Sequence, residues 1–189
     1  MNLNYRLTLA SKSPRRQELL SKLDLEFEVQ VKSIDESYPP DLPKEKIAEY
    51  LAVEKSNAFG DIQTNELIIT SDTTVVLGDS LLEKAKDASE AAAMLKKLSG
   101  QSHLVITGVC LKSKGKQISF SESTEVTFAD LSDEQINYYI ETYQPFDKAG
   151  AYGIQEWIGM VGVKGIKGDF YNVMGLPLFR LYRELKKFQ

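Results

Sequence analysis

An aspartate interrupts a run that otherwise reads as buried strand: Asp72, in "IITSDTTVVL". Asp is disfavoured in strands, and a buried carboxylate is costly without partners. It is either a turn residue at a strand's end or a carboxylate at the sheet's edge that holds a metal ion or activates water. Lys55 raises the same question on a helix. It follows Ile47 and Leu51 at four-residue steps and so continues their apolar stripe. It either snorkels to solvent or points into a phosphate cleft. Arg15 and Arg16 sit in the first turn of a helix opened by Ser13 and Pro14 in "LTLASKSPRRQELLSKL". Acidic residues are preferred at that positive end of the helix dipole. Two adjacent cations beside free backbone N–H groups point to a strongly negative ligand there.

Other candidates carry less. Asp35 and Glu36 lie where a strand runs into a Pro-rich loop, and Lys84 follows the turn at Gly78-Asp79. His103 and Cys110, the only histidine and the only cysteine, read as structural. They leave no multi-His metal cluster, internal disulfide, CxxC pair or cysteine-based zinc site. "GVKGIKGD" matches neither GxxxxGK[ST] nor GxGxxG. The net charge of −4 argues against a general nucleic-acid coat, although it leaves room for a local basic pocket. With 42% apolar and 26% charged residues, the composition is that of a soluble globular protein. No apolar run reaches the roughly 18 residues of a membrane helix. "MNLNYRLTLA" is not built like a signal peptide, so the expectation is a cytoplasmic protein.

The elements that must position these residues alternate between strand-like and helix-like, which favours α/β or α+β. The spacing predicts an opening strand and helix, then a strand in "FEVQV" running into an acidic loop. A helix follows in "PKEKIAEYLAVEKSNAFG", closed by Gly60, and then a β-rich run from Glu66 to Lys84. "DASEAAAMLKKLSG" is a helix ending at Gly100, and two or three strands joined by "KSKGK" come next. Ser132 and Gln135 form a capping box, ahead of a Gly-rich segment and a last helix started by Pro177. At 189 residues the chain fits one domain, or one domain with two lobes, spanning 1–189.

"LASKSPRRQELL", "SDTTVV", "EKAKDASEAAAMLKKLSGQSHLVITGV", "STEVTF", "DKAGAYGIQ" and "NVMGLPL" occur in this order. These six ordered motifs resemble the Maf family of nucleoside triphosphate pyrophosphatases, and the resemblance covers the chain from Leu9 to Leu185. The resemblance implies a mixed, strongly bent central sheet flanked by helices, of the Maf/inosine-triphosphatase-like kind. It further implies two lobes with a nucleotide cleft, a homodimer, and a divalent metal cation, Mg²⁺ or Mn²⁺. Carried over residue by residue, it makes Asp72 the general base and a metal ligand together with Glu36. Ser11, Arg15, Arg16, Lys55 and Lys84 match the polar cleft residues, and Gln155 matches the base-reading glutamine. The chain departs from the pattern at Ala85, where the family usually has Pro. It departs again at Lys167 and Asp169, where an acidic residue and Ser are more usual.

"SPRR", "SDT" and "YGIQ" resemble the branch acting on dTTP and UTP, through Arg15, Thr73 and Gln155. A glutamine amide offers the donor and acceptor that a uracil or thymine edge requires. The expected reaction is hydrolysis of a pyrimidine triphosphate to the monophosphate and pyrophosphate. Arg16, Lys55 and Lys84 would stabilise charge on the leaving group. The rival from another class is a nucleotide-binding regulator of septum formation or cell division with little turnover. An RNA-binding reading fails on charge and on the lack of an aromatic sheet motif.

Overall fold

A computed structural model describes residues 3–189. The first strand β1 (Arg6–Leu9) leads into α1 (Pro14–Ser21), β2 (Phe27–Val29) and α2 (Lys44–Asn57). Then come β3 (Glu66–Leu77), β4 (Ser80–Leu82), α3 (Ala88–Leu98), β5 (Ser102–Lys112) and β6 (Gln117–Phe128). The chain continues through α4 (Asp133–Tyr143), α5 (Trp157–Gly162), β7 (Val163–Lys167), α6 (Phe170–Met174) and α7 (Leu178–Leu185). Among the described residues the strands form one seven-stranded sheet in the order β2-β1-β3-β5-β6-β7, with β4 pairing β3. The sheet is mixed: β1 runs parallel to β2 and β3, whereas β3–β4 and β6–β7 are antiparallel. No helix of the described residues is long and apolar enough to cross a membrane.

The chain divides into two compact units. The first comprises the chain up to Thr73, Thr107–Glu122 and Gly175–Gln189. In it, Leu7 and Leu9 of β1 and Leu67, Ile68 and Ile69 of β3 are buried. So are Leu19 and Leu20 of α1, and Ile47, Ala48, Leu51 and Ala52 along one face of α2. That face lies close against β5. A Cβ on Gly108 would stand 2.3 Å from the backbone of Ala48, so only glycine permits the approach. α2 ends at Asn57 with Ala58 in helical geometry, three residues short of the Gly60 stop that the sequence suggested.

The second unit comprises Thr74–Ile106 and Ser123–Met174. Its core joins Leu95 and Leu98 of α3, Ile136, Tyr139 and Ile140 of α4, Ile158 of α5, and Val126 and Phe128 of β6. Asp87 caps α3 by accepting the Glu90 N–H at 2.8 Å. The Ser132–Gln135 capping box of α4 forms in both directions. The Gly-rich segment before Pro177 folds into α5, β7 and α6.

Candidate active site

Asp72 lies inside β3, with strand residues on both sides of it. This excludes the turn reading. β3 is also an interior strand of the sheet order, which corrects the expected position at the sheet's edge. The side chain is 16% exposed and is compensated by Lys55, whose Nζ donates to Asp72 Oδ1 at 2.6 Å. Lys55 is itself 17% exposed, because it extends the buried Ile47–Leu51 stripe of α2 by one more turn. The same Nζ lies 2.8 Å from Glu36 Oε1, in the loop after β2. Two carboxylates thus converge on one cationic nitrogen, and the lysine offsets the cost of holding Asp72 mostly out of water.

Arg16 answers the question of the misplaced cations in a way that the sequence did not suggest. Its Nε donates to Gly175 O at 2.8 Å, Nη1 to Ser71 O at 2.8 Å and Nη2 to Thr73 Oγ1 at 2.9 Å. Ser71 Oγ donates to the same Gly175 carbonyl at 3.2 Å, and Thr73 Oγ1 lies 2.9 Å from Thr107 Oγ1. The guanidinium therefore holds the residues on either side of Asp72 and the start of the last segment. Burial pushes its pKa down, and the negative charge of Asp72 opposes that shift. Arg15 is half-buried on the same helix turn. Ser11 is buried and its Oγ accepts the Ser13 N–H at 3.2 Å. Ser13 makes no side-chain cap on α1, and no acidic residue occupies the first turn.

The first unit carries Ser11, Arg15, Arg16, Glu36, Lys55, Asp72 and Thr73, with direct contacts joining Lys55 to Glu36 and Asp72 and Arg16 to Thr73. Lys84 and Gln155 belong to the second unit. Lys84 is exposed and makes an isolated antiparallel bridge with Ala149, while Gly150 N–H donates to Glu83 O at 3.1 Å. This backbone pairing, with Ala85 buried beside it, anchors the segment where the family has proline. Gln155 lines a pocket of about 510 Å³ with Ile154, Met160, Lys164, Ile166 and Phe170. Its Oε1 is buried and has no hydrogen-bond partner among the described residues.

The departure at Asp169 also has a physical account. Asp169 Oδ1 accepts the Tyr171 N–H at 2.8 Å at the start of α6, a role that serine performs as well. Lys167 is exposed on β7 and registers against Glu125. In the "NVMGLPL" motif, Asn172 is buried and donates to Val105 O at 2.9 Å and Thr124 Oγ1 at 3.0 Å.

Sequence reasoning missed three residues beside Gln155. Tyr139 donates to Glu156, and Lys148 Nζ lies 3.2 Å from the other oxygen of that carboxylate. The signal for Tyr139 was hidden, because it sits on the apolar face of α4 between Ile136 and Ile140. Lys148 lies within the "DKAGAYGIQ" motif, where its spacing from Glu156 carries no local signal.

In a mixed α/β chain, two carboxylates thus share one lysine, and the helix α1 opens with two arginines. The chain belongs to the Maf-like protein family, whose model matches residues 6–188. It is 56% identical over 185 residues to a dTTP/UTP pyrophosphatase of Phocaeicola vulgatus, covering 97% of this chain and 96% of the relative. It is 51% identical over 188 residues to a protein of the same name from Porphyromonas gingivalis strain W83, covering 97% and 94%. Another of that name, from Flavobacterium psychrophilum, is 53% identical over 180 residues, covering 95% and 92%. Among solved structures, a HAM1 protein from Coxiella burnetii matches with a TM-score of 0.47 and 18% identity. That match covers 67% of this chain and 74% of the other.

Proposed function

We propose that this chain is a pyrophosphatase that hydrolyses dTTP and UTP to the nucleoside monophosphate and pyrophosphate. The observation that carries the reading is the convergence of Asp72 and Glu36 on Lys55 Nζ, at 2.6 and 2.8 Å. Full-length similarity to relatives named for this activity supports it.

The donor set fits a divalent cation, Mg²⁺ or Mn²⁺. Two carboxylate oxygens already converge on a cationic centre, and no group of three or more His, Cys, Asp or Glu is assembled among the described residues. Magnesium suits so few protein ligands, because waters and substrate phosphates complete its shell. Asp72 and Glu36 would hold it, and it would supply Lewis-acid polarisation of a phosphoryl oxygen.

The chain's own residues do the rest. Asp72 orients the attacking water and takes its proton. Arg15, Ser11 and the start of α1 bind the phosphate chain, where the helix dipole favours anions. Lys55 neutralises charge on the leaving pyrophosphate, and the family pattern gives Lys84 the same task. Arg16 and Thr73 hold the strand that carries Asp72, and the unused guanidinium N–H groups remain for a phosphate oxygen. Gln155 reads the base, its buried Oε1 supplying an acceptor for the imide N–H of uracil or thymine. Family membership also supports a cytoplasmic homodimer, which sedimentation of the purified protein would test.

Purified protein incubated with dTTP or UTP and Mg²⁺ should release one pyrophosphate per monophosphate formed. Tight binding without pyrophosphate release would overturn this reading in favour of a nucleotide-binding regulator.

A further inference from the structure

The amide that reads the base stands in a tight turn, and one phenol holds both ends of that turn. Glu156 N–H donates to Gly153 O at 3.0 Å, which closes a four-residue turn with Ile154 and Gln155 at its centre. Tyr139, fully buried on α4, touches both closing residues. Its oxygen accepts the Gly153 N–H at 2.9 Å, and its O–H donates to a carboxylate oxygen of Glu156. Burial, with Glu156 beside it, pushes the phenol's pKa up, so the hydroxyl keeps its proton.

The other Glu156 oxygen faces Lys148 Nζ at 3.2 Å, and Lys148 donates to Asp147 at 2.7 Å. Lys148 is only 8% exposed, and it is followed by a backbone that needs fixing: Ala151 takes a left-handed φ of 57°. The turn is filled as well as tied. A Cβ on Gly153 would come within 2.8 Å of the Glu156 carboxyl carbon and 3.0 Å of Gln155 Nε2. At the centre of this arrangement Gln155 Oε1 is buried and has no partner among the described residues. A buried polar atom left in that state is expected to receive its partner from a ligand.

We propose that Tyr139 is a positioning residue for base selection: it fixes the Gly153–Glu156 turn so that the Gln155 amide meets the base edge in one orientation. Glu156 and Lys148 are its supports. The inference rests on the reading of Gln155 as the base-reading residue.

The test is a double-mutant cycle read as the ratio of kcat/KM for dTTP to that for dCTP. Both bases are single-ring pyrimidines, and apart from thymine's C5 methyl they differ in the donors and acceptors of their edges. Tyr139→Phe keeps the ring and removes the hydroxyl, so the ratio should fall about tenfold, the upper scale of one hydrogen bond. In a Gln155→Ala background the same substitution should change the ratio no further, because the residue acts through the amide. Glu156→Gln should lower the ratio in the same direction, and to a smaller extent, with the same loss of effect when Gln155 is absent. It also keeps the test available if Tyr139→Phe does not fold.

A ratio that falls equally in both backgrounds would show that Tyr139 acts on selectivity independently of the Gln155 amide and would overturn the inference. So would a ratio unchanged by both Tyr139→Phe and Glu156→Gln while Gln155→Ala lowers it. If Gln155→Ala itself leaves the ratio unchanged, the base reading fails, and the inference falls with it.

Discussion

Lys55 Nζ lies 2.6 Å from Asp72 Oδ1, joining the buried stripe of α2 to the interior of β3. The ion pair explains how a strand of otherwise apolar residues tolerates an aspartate. It also fixes the position of that carboxylate on the strand. Glu36, 2.8 Å from the same nitrogen, is drawn from a loop onto the same point.

Asp72→Asn keeps the size of the side chain and an oxygen to face Lys55, but removes the charge and the basicity. Turnover should fall at least about a hundredfold, the lower range for losing a general base. Circular dichroism should show the fold retained. Near wild-type turnover in a folded variant would remove Asp72 from the role of base.

Arg16→Lys should reveal how far Arg16 is a tie and how far a clamp. Lysine keeps the charge but lacks the planar fork that reaches Gly175, Ser71 and Thr73 together. Leaving part-buried carbonyl groups unpaired should cost about 1–3 kcal/mol, measured as a lower urea midpoint. A variant of wild-type stability whose KM for dTTP alone rises would instead mark Arg16 as a phosphate ligand only.

These two sites show what was legible in the sequence and what was not. Lys55 was legible because a charge at the next step of an apolar helical stripe is a local conflict, and such conflicts mark sites. Asp72 was legible as a misfit, but its place inside a strand rather than at its end was not. Strand length depends on pairing partners remote in sequence. Arg16 was seen as a cation at the wrong helix end, yet its partners lie 55 to 159 residues away along the chain. No local pattern encodes them. Tyr139 was invisible for the opposite reason. A tyrosine on an apolar helix face looks like core, and only the fold shows where its hydroxyl goes. The capping box at Ser132 and the glycine at the end of α3 needed only neighbours within a few residues, and both formed.

His103 gives a pH test. Its Nε2 lies 2.7 Å from the Tyr152 hydroxyl, and burial lowers its pKa from 6.5 to about 4. The folded protein therefore refuses a proton that the unfolded chain accepts. Stability from this group is complete above pH 6.5 and is lost as pH falls from there towards 4. At pH 5 the loss should be about 2 kcal/mol relative to pH 8. His103→Gln should lack that part of the pH dependence when urea unfolding is compared at the two values. An unchanged difference between pH 8 and pH 5 in the variant would show that His103 is not its source.

The metal and the bond cleaved can be tested together. With only carboxylate oxygens gathered at Lys55, activity should vanish in EDTA and return with Mg²⁺ or Mn²⁺, since such ligands suit hard cations. Products should be one monophosphate and one pyrophosphate per turnover, because the leaving β,γ unit is the part that the cationic side chains neutralise. In labelled water, ¹⁸O should then appear in the monophosphate, the result of attack at the α-phosphorus. Label in pyrophosphate would place attack at the β-phosphorus and would require Asp72 to orient its water one phosphate further along the chain. Release of orthophosphate with a nucleoside diphosphate would mean that the terminal phosphate is the one attacked, and the pyrophosphatase reading would fail.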